Sequence, residues 1–237
     1  MIPLFYIDPH GDDHGLGYAY PTAALYAESG FADLTGFQAI DQRGQLVLRV
    51  RLARYPNPAK APLGFSLATI AIYVDSRPGG SEDLPGAGFR TPKGQGWDQA
   101  YLITGWESSV RTPAGGNEPL AVERQGEWIE FRPGLPPGNY GYYVATGLYD
   151  PFAPWNFRPL RPGGGPWVID GPAGAPAAVD VLATSQARSY STGVLRPVKA
   201  SPSRWPLALL SGLLGLLFIA LSYRFPKSSP PRRPRRV

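Results

Sequence analysis

Between Gln45 and Leu52 the residues Leu46, Leu48, Val50 and Leu52 alternate with Val47, Arg49 and Arg51, a period of two that predicts a strand with one buried face and one wet face. The run F-S-L-A-T-I-A-I-Y-V-D, Phe65 to Asp75, is nearly apolar throughout and predicts a strand covered on both faces. Gln99 to Gly105, Pro119 to Glu123, Glu127 to Arg132 and Tyr140 to Leu148 supply further strand-like segments. Turn signals separate them: P-G-G at Pro78, P-G-A-G at Pro85, A-G-G-N at Ala114 and P-P-G-N at Pro136. Short strands with this punctuation predict an all-β fold, a β-sandwich, over residues 1–183.

The pattern changes twice after that. From 184 to 204 the chain is rich in Ser, Ala and Pro without periodicity, which predicts a stalk. From Pro206 to Tyr223 it carries no charge, and at about 1.5 Å per residue such a run is long enough to cross a bilayer rather than to sit in a soluble core. Trp205 and Tyr223 bracket it, so the expectation is one C-terminal transmembrane helix over 205–223 that holds the chain in a lipid bilayer. Its tail, 224–237, contains Arg224, Lys227, Arg232, Arg233, Arg235 and Arg236 and no acid. The positive-inside rule then puts the tail in the cytoplasm and the β domain outside it, at the cell membrane as a single-pass protein. Such export needs a leader, and M-I-P-L-F-Y-I-D lacks a charged n-region and a long apolar stretch. Two explanations stay open, a start upstream of Met1 or a tail anchor facing the cytoplasm, and the charge rule favours the first.

Composition changes the picture mainly by exclusion. The formal charge is +5, yet six of the 23 lysines and arginines lie after Trp205, which leaves 17 bases against 18 acids in the rest. A near-neutral domain has no basic face for phosphates, so nucleic acid is not an expected partner. With no cysteine there is no disulfide, thiolate metal site or thiol nucleophile. Gly and Pro together number 57, but 43% hydrophobic content supplies enough apolar surface for a folded domain.

The stretch D-P-H-G-D-D-H-G-L-G-Y-A-Y-P-T, Asp8 to Thr22, concentrates carboxylates, glycines and tyrosines. It resembles the opening of the C-terminal module of glucodextranase, which also occurs in pullulanase-like and amylopullulanase-like enzymes. Asp8, Pro9, Gly11, Asp12, Asp13, Gly15, Gly17, Tyr20, Pro21 and Thr22 carry the match, with one residue fewer before the tyrosines. F-A-D-L-T-G-F at Phe31, N-P at Asn57, G-F-S-L at Gly64, I-Y-V-D at Ile72, G-W-D at Gly96 and N-F-R-P at Asn156 follow in order. Ala59 and Ala68 depart from the pattern, where an aromatic and a glutamine are expected. The resemblance implies a sandwich of the DOMON-like and carbohydrate-binding-module-like kind, noncatalytic, with a polysaccharide, an α-glucan in particular, as partner. A surface protein bound by a scaffolding module without sugar affinity is the alternative.

Three chemical sites are expected. Asp8, Asp12 and Asp13 crowd hard oxygen ligands onto one glycine-containing turn, as a structural calcium site requires, although such acids also simply cap turns. His10 and His14 flank them and open a zinc-type alternative. For sugar stacking, Trp97 beside Gly96 and Trp155 with Phe157 in a Pro-rich loop are the rings expected at the surface, while Trp128 between Glu127 and Ile129 is expected in the core. No G-x-S-x-G elbow, H-E-x-x-H helix or P-loop occurs, so no enzyme is expected.

Overall fold

The structure is a computed structural model in which residues 3–200 are described. In chain order its strands are β1 (Leu4–Ile7), β2 (Leu34–Gln42), β3 (Gln45–Leu52), β4 (Ala68–Asp75), β5 (Asp83–Leu84), β6 (Phe89–Arg90), β7 (Gln99–Thr104), β8 (Ser108–Arg111), β9 (Asn117–Pro119), β10 (Val122–Gln125), β11 (Trp128–Phe131), β12 (Gly141–Leu148), β13 (Leu160–Arg161), β14 (Ile169–Asp170), β15 (Asp180–Val181) and β16 (Val198–Lys199). One α-helix, α1 (Gln186–Thr192), lies between the last two, and a single 3-10 turn, Ala24–Tyr26, lies between β1 and β2.

Two sheets hold the fold together. The first has the order β1-β2-β3-β11-β10, and the second runs β15-β12-β4-β7-β8-β9 with β16 also paired to β12. Alternation sets the inner faces. Phe37 of β2 meets Tyr142 of β12 at 5.2 Å between ring centroids, and Phe131 of β11 meets Tyr101 of β7 at 5.0 Å, so aromatic pairs join the two sheets across the core. The other face of the first sheet is wetter, with Arg49 and Arg51 of β3 half-buried, although Val47 on that side is buried as well.

The second sheet is covered twice, as the apolar run in β4 predicts. Ile70, Ile72 and Val74 alternate with Thr69, Ala71 and Tyr73, and all six are buried. Loops supply the outer cover: the Thr69 hydroxyl donates to the Asn156 carbonyl (2.7 Å), and Tyr73 and Tyr143 donate to the carbonyls of Pro85 and Gln95. An outer layer of loops thus carries the hydrophobic core around to the other face of this sheet.

The expected boundary at residue 183 is corrected. Residues through Ala200 belong to the compact unit, because Ser185 caps α1, Tyr190 and Leu195 are buried, and β16 pairs with β12. Tyr190 and Leu195 are the apolar anchors in what otherwise reads as stalk sequence. The strand expected at Pro119 to Glu123 instead straddles the break between β9 and β10. No helix among the described residues is long and apolar enough to cross a membrane, and the predicted span at 205–223 and basic tail at 224–237 lie outside the described residues.

Candidate functional site

The N-terminal carboxylates sit where the edges of both sheets come together. Asp8 follows directly on β1, and its N–H still donates to the Thr35 carbonyl of β2 (3.4 Å). The loop then turns through Gly11, whose φ of 81° favours glycine, and brings Asp12 and Asp13 back against the domain. Two acids from far along the chain join them. Asp33 precedes β2 and accepts from the Gly11 N–H (2.9 Å), and Asp180 opens β15 and accepts from the Leu34 N–H of β2 (2.7 Å). Gln186, the first residue of α1, donates its side-chain amide to both Asp12 (3.0 Å) and Asp180 (2.8 Å).

One carboxylate oxygen from each of Asp8, Asp12 and Asp180 lies within 4.8 Å of the others. Like charges at such a distance repel by roughly 3–4 kcal/mol per pair at an effective dielectric constant of about 20. Few donors offset this. Oδ2 of Asp8 and Oδ1 of Asp12, Asp13 and Asp33 are buried with no hydrogen-bond partner. Burial, followed by the charges of Asp12 and Asp33, pushes the Asp8 carboxyl up to about 8. Burial and then the Asp8 charge push Asp180 to about 9, against the Leu34 N–H, and burial raises Asp33 to about 6. Asp12 is raised as well, again chiefly by burial.

Asp13, expected with Asp8 and Asp12, stands to one side. Its Oδ2 accepts from the Tyr20 hydroxyl (2.5 Å), and its Oδ1 is 3.6 Å from His14. His10 instead approaches Asp33 (3.8 Å). The two histidines therefore reach different carboxylates from an exposed rim, and the group close enough to share an ion among the described residues contains only aspartates. That geometry speaks against the zinc-type alternative.

Trp97, Trp155 and Phe157 are brought together, but inside. Trp97 is 2% and Phe157 4% exposed, and Trp155 is half-buried, so the expectation of surface rings is corrected. Glycine next to Trp97 marks close backbone packing rather than an open loop: a Cβ on Gly96 would lie 2.5 Å from the Gly80 carbonyl carbon. Trp97 exchanges backbone hydrogen bonds with Ser81 and donates its indole N–H to the Asp83 carbonyl (2.5 Å). In the Pro-rich loop, Asn156 adopts a φ of 55°, Asp150 and Asn156 close the turn, and the rings before and after it face the sheet. Trp155 stacks on Tyr73 at 5.9 Å and meets Trp97 edge-on at 6.1 Å. Arg111 covers Trp155 from outside, 4.6 Å from its centroid. Trp128 is a correction in the opposite direction: it is half-buried on the outer face of the first sheet, its ring edge 3.0 Å from where a Cβ on Gly36 would sit and Arg51 above it.

Among the described residues, the exposed tryptophans are Trp106 and Trp167. Trp106 stands at the turn between β7 and β8, where the Thr104 hydroxyl accepts from its N–H and from that of Glu107. It walls a shallow cavity of about 330 Å³ with Pro62, Leu63, Glu107, Ser108 and Leu120. An open indole beside a carboxylate and a hydroxyl is the surface that the buried rings do not offer. The sequence carries the same Gly-Trp-acid cue at Gly105 to Glu107 as at Gly96 to Asp98, so it does not separate the exposed ring from the buried one. Asp180 had a fainter signal, a lone acid in the apolar run A-A-V-D-V-L, and Asp33 lies inside the F-A-D-L-T-G-F segment.

Fold and surface together describe a β-sandwich with an acidic cluster at its sheet edges and an exposed indole at the β7–β8 turn. A family model described as the C-terminal binding-module, SLH-like, of glucodextranase matches residues 5–196, and the chain belongs to that family. The family is one of binding modules, not of catalytic domains. Among curated proteins no relative matches the chain.

Proposed function

We propose that the domain is a noncatalytic carbohydrate-binding module whose ligand is a glucan or related polysaccharide. Membership of a glucodextranase binding-module family across residues 5–196 is the observation that carries this reading. Trp106 supports it. An indole face packs against the apolar face of a pyranose ring, and the neighbouring Glu107 and Ser108 offer an acceptor and a hydroxyl to sugar hydroxyls. Stacking on one ring in a shallow cavity leads to modest affinity, which suits a module that keeps a partner near a polymer.

Affinity electrophoresis of the purified chain in gels containing starch, pullulan or dextran tests the reading. Slower migration in at least one polymer, with no reducing ends released, is the expected result. Unaltered mobility in all of them would favour a protein-binding role.

A further inference from the structure

We propose that Asp8, Asp12 and Asp180 bind one calcium ion, and that this ion fastens the N-terminal loop to the first residue of β15, joining the open edges of the two sheets.

The geometry carries this independently of the sugar ligand. Three carboxylate oxygens within 4.8 Å of one another fit around a single ion whose oxygen ligands stand about 2.3–2.6 Å away, since opposite ligands are then up to roughly 5 Å apart. The donors are carboxylates without sulfur, and no imidazole belongs to the group, which selects a hard cation over a transition metal. A second observation points the same way. Asp8 is 3% exposed and its Oδ2 has no hydrogen-bond partner; Asp33, 2% exposed, leaves Oδ1 equally unpaired. Buried carboxylate oxygens without donors are rare because each forfeits its hydration. A divalent cation supplies what the protein's own donors do not: Leu34 N–H and Gln186 hold Asp180 and Asp12 from one side and leave their remaining lone pairs free.

The arrangement also assigns work to residues that otherwise have none. Gln186 opens α1, so its two hydrogen bonds orient two of the ligands and connect them to the segment 184–200. Asp13 is held outside the triad by Tyr20, whose phenol is also within electrostatic reach of Asp180 and so can serve as an optical antenna.

Purified full chain should melt about 5–10 °C higher in CaCl2 at a hundred times Kd than in EDTA, and calcium should restore the loss after chelation. Added TbCl3 should show tyrosine-sensitised luminescence that CaCl2 displaces at one ion per chain. Asp180→Asn keeps an acceptor for Leu34 N–H, and Asp12→Asn changes a half-buried ligand; each should abolish the calcium-dependent rise while the variant still folds in EDTA. Identical melting in CaCl2 and EDTA without terbium luminescence would overturn the proposal. So would a calcium response that survives both substitutions, or an equal response to MgCl2 at the same concentration.

Discussion

The acidic edge and the aromatic outer core are both clusters of side chains that are conspicuous in the sequence, and they differ in whether the protein completes them. Around Tyr73, Trp97 and Trp155 the protein supplies its own partners: Asp83 for the indole N–H of Trp97, Pro85 and Gln95 for the phenols of Tyr73 and Tyr143, and Arg111 over the ring of Trp155. Around Asp8 the account stays open, with four buried carboxylate oxygens that have no donor. A cluster that satisfies itself is structure. One that leaves buried carboxylate oxygens unpaired has bonding capacity still unmet, which is the ground of the calcium proposal.

The largest expected effect is on the completed cluster. Trp97→Ala removes a buried ring that touches Tyr73 and Trp155 and orphans the Asp83 carbonyl, so it should cost about 3–5 kcal/mol of stability. Denaturant titration of the purified chain measures it. Because Trp97 presents no face to solvent, a glucan-gel shift in conditions where the variant is still folded should be unchanged. A selective loss of binding there, with stability intact, would invert the comparison.

Asp98 sharpens the contrast from the side of the carboxylates. It is as buried as Asp8, yet it accepts from Ser76 N–H (2.9 Å), Ser76 hydroxyl (3.0 Å), Arg77 N–H (3.0 Å) and Arg77 guanidinium (3.0 Å). Burial alone would raise its pKa, but those donors, led by the Arg77 side chain, bring it below the usual value. A depressed folded-state pKa means stability that is fully present above the unfolded value near 3.8 and is lost as pH falls through the lower folded value. Asp98→Asn should therefore cost about 1.5–3 kcal/mol at pH 7, less than the buried ring, and should flatten the loss of stability below about pH 4. Arg77 is 76% exposed, so salt should screen only part of this. Unfolding curves from pH 3 to 7 would show it, and an unchanged acid limb would break the argument.

How much was legible follows from the range of each signal. Period two and turn residues act locally, and β3, β4, β7, β11 and β12 fall within a few residues of where the pattern places them. β2 escaped because a bulge between Leu34 and Gly36 shifts its alternation, and Gly36 itself leaves room for Trp128 across the sheet. Asp8, Asp12 and Asp13 stood out by proximity in the chain, whereas Asp180 enters the triad only through the pairing of β15 with β12, 168 positions beyond Asp12 in the numbering. Rings were misplaced for the converse reason. Gly and Pro beside Trp97 and Trp155 signal turns, but a turn can face inward when a second layer covers the sheet.

The smallest stability effect belongs to Trp106, and it is the one that tests the proposed sugar surface. Its ring is 43% exposed and lies at a turn whose geometry is fixed by Thr104 and Glu107 backbone and hydroxyl groups rather than by the indole. Trp106→Ala should accordingly change stability by less than about 1 kcal/mol. Loss of a stacking face should cost about 1–3 kcal/mol of glucan affinity, a drop of roughly 5- to 150-fold. In gels containing the polymer that retards the native chain, the variant should run with nearly the mobility it has without polymer, while Trp155→Ala, whose ring faces Tyr73 and Arg111, should still be retarded if it folds. Trp167, the other exposed indole among the described residues, is the internal comparison: it packs edge-on against Tyr26 on a different loop, and its replacement should leave retardation intact. Retardation that survives Trp106→Ala but not replacement of Trp167 would move the ligand surface to the β13–β14 loop and keep the distinction between completed and open clusters untouched.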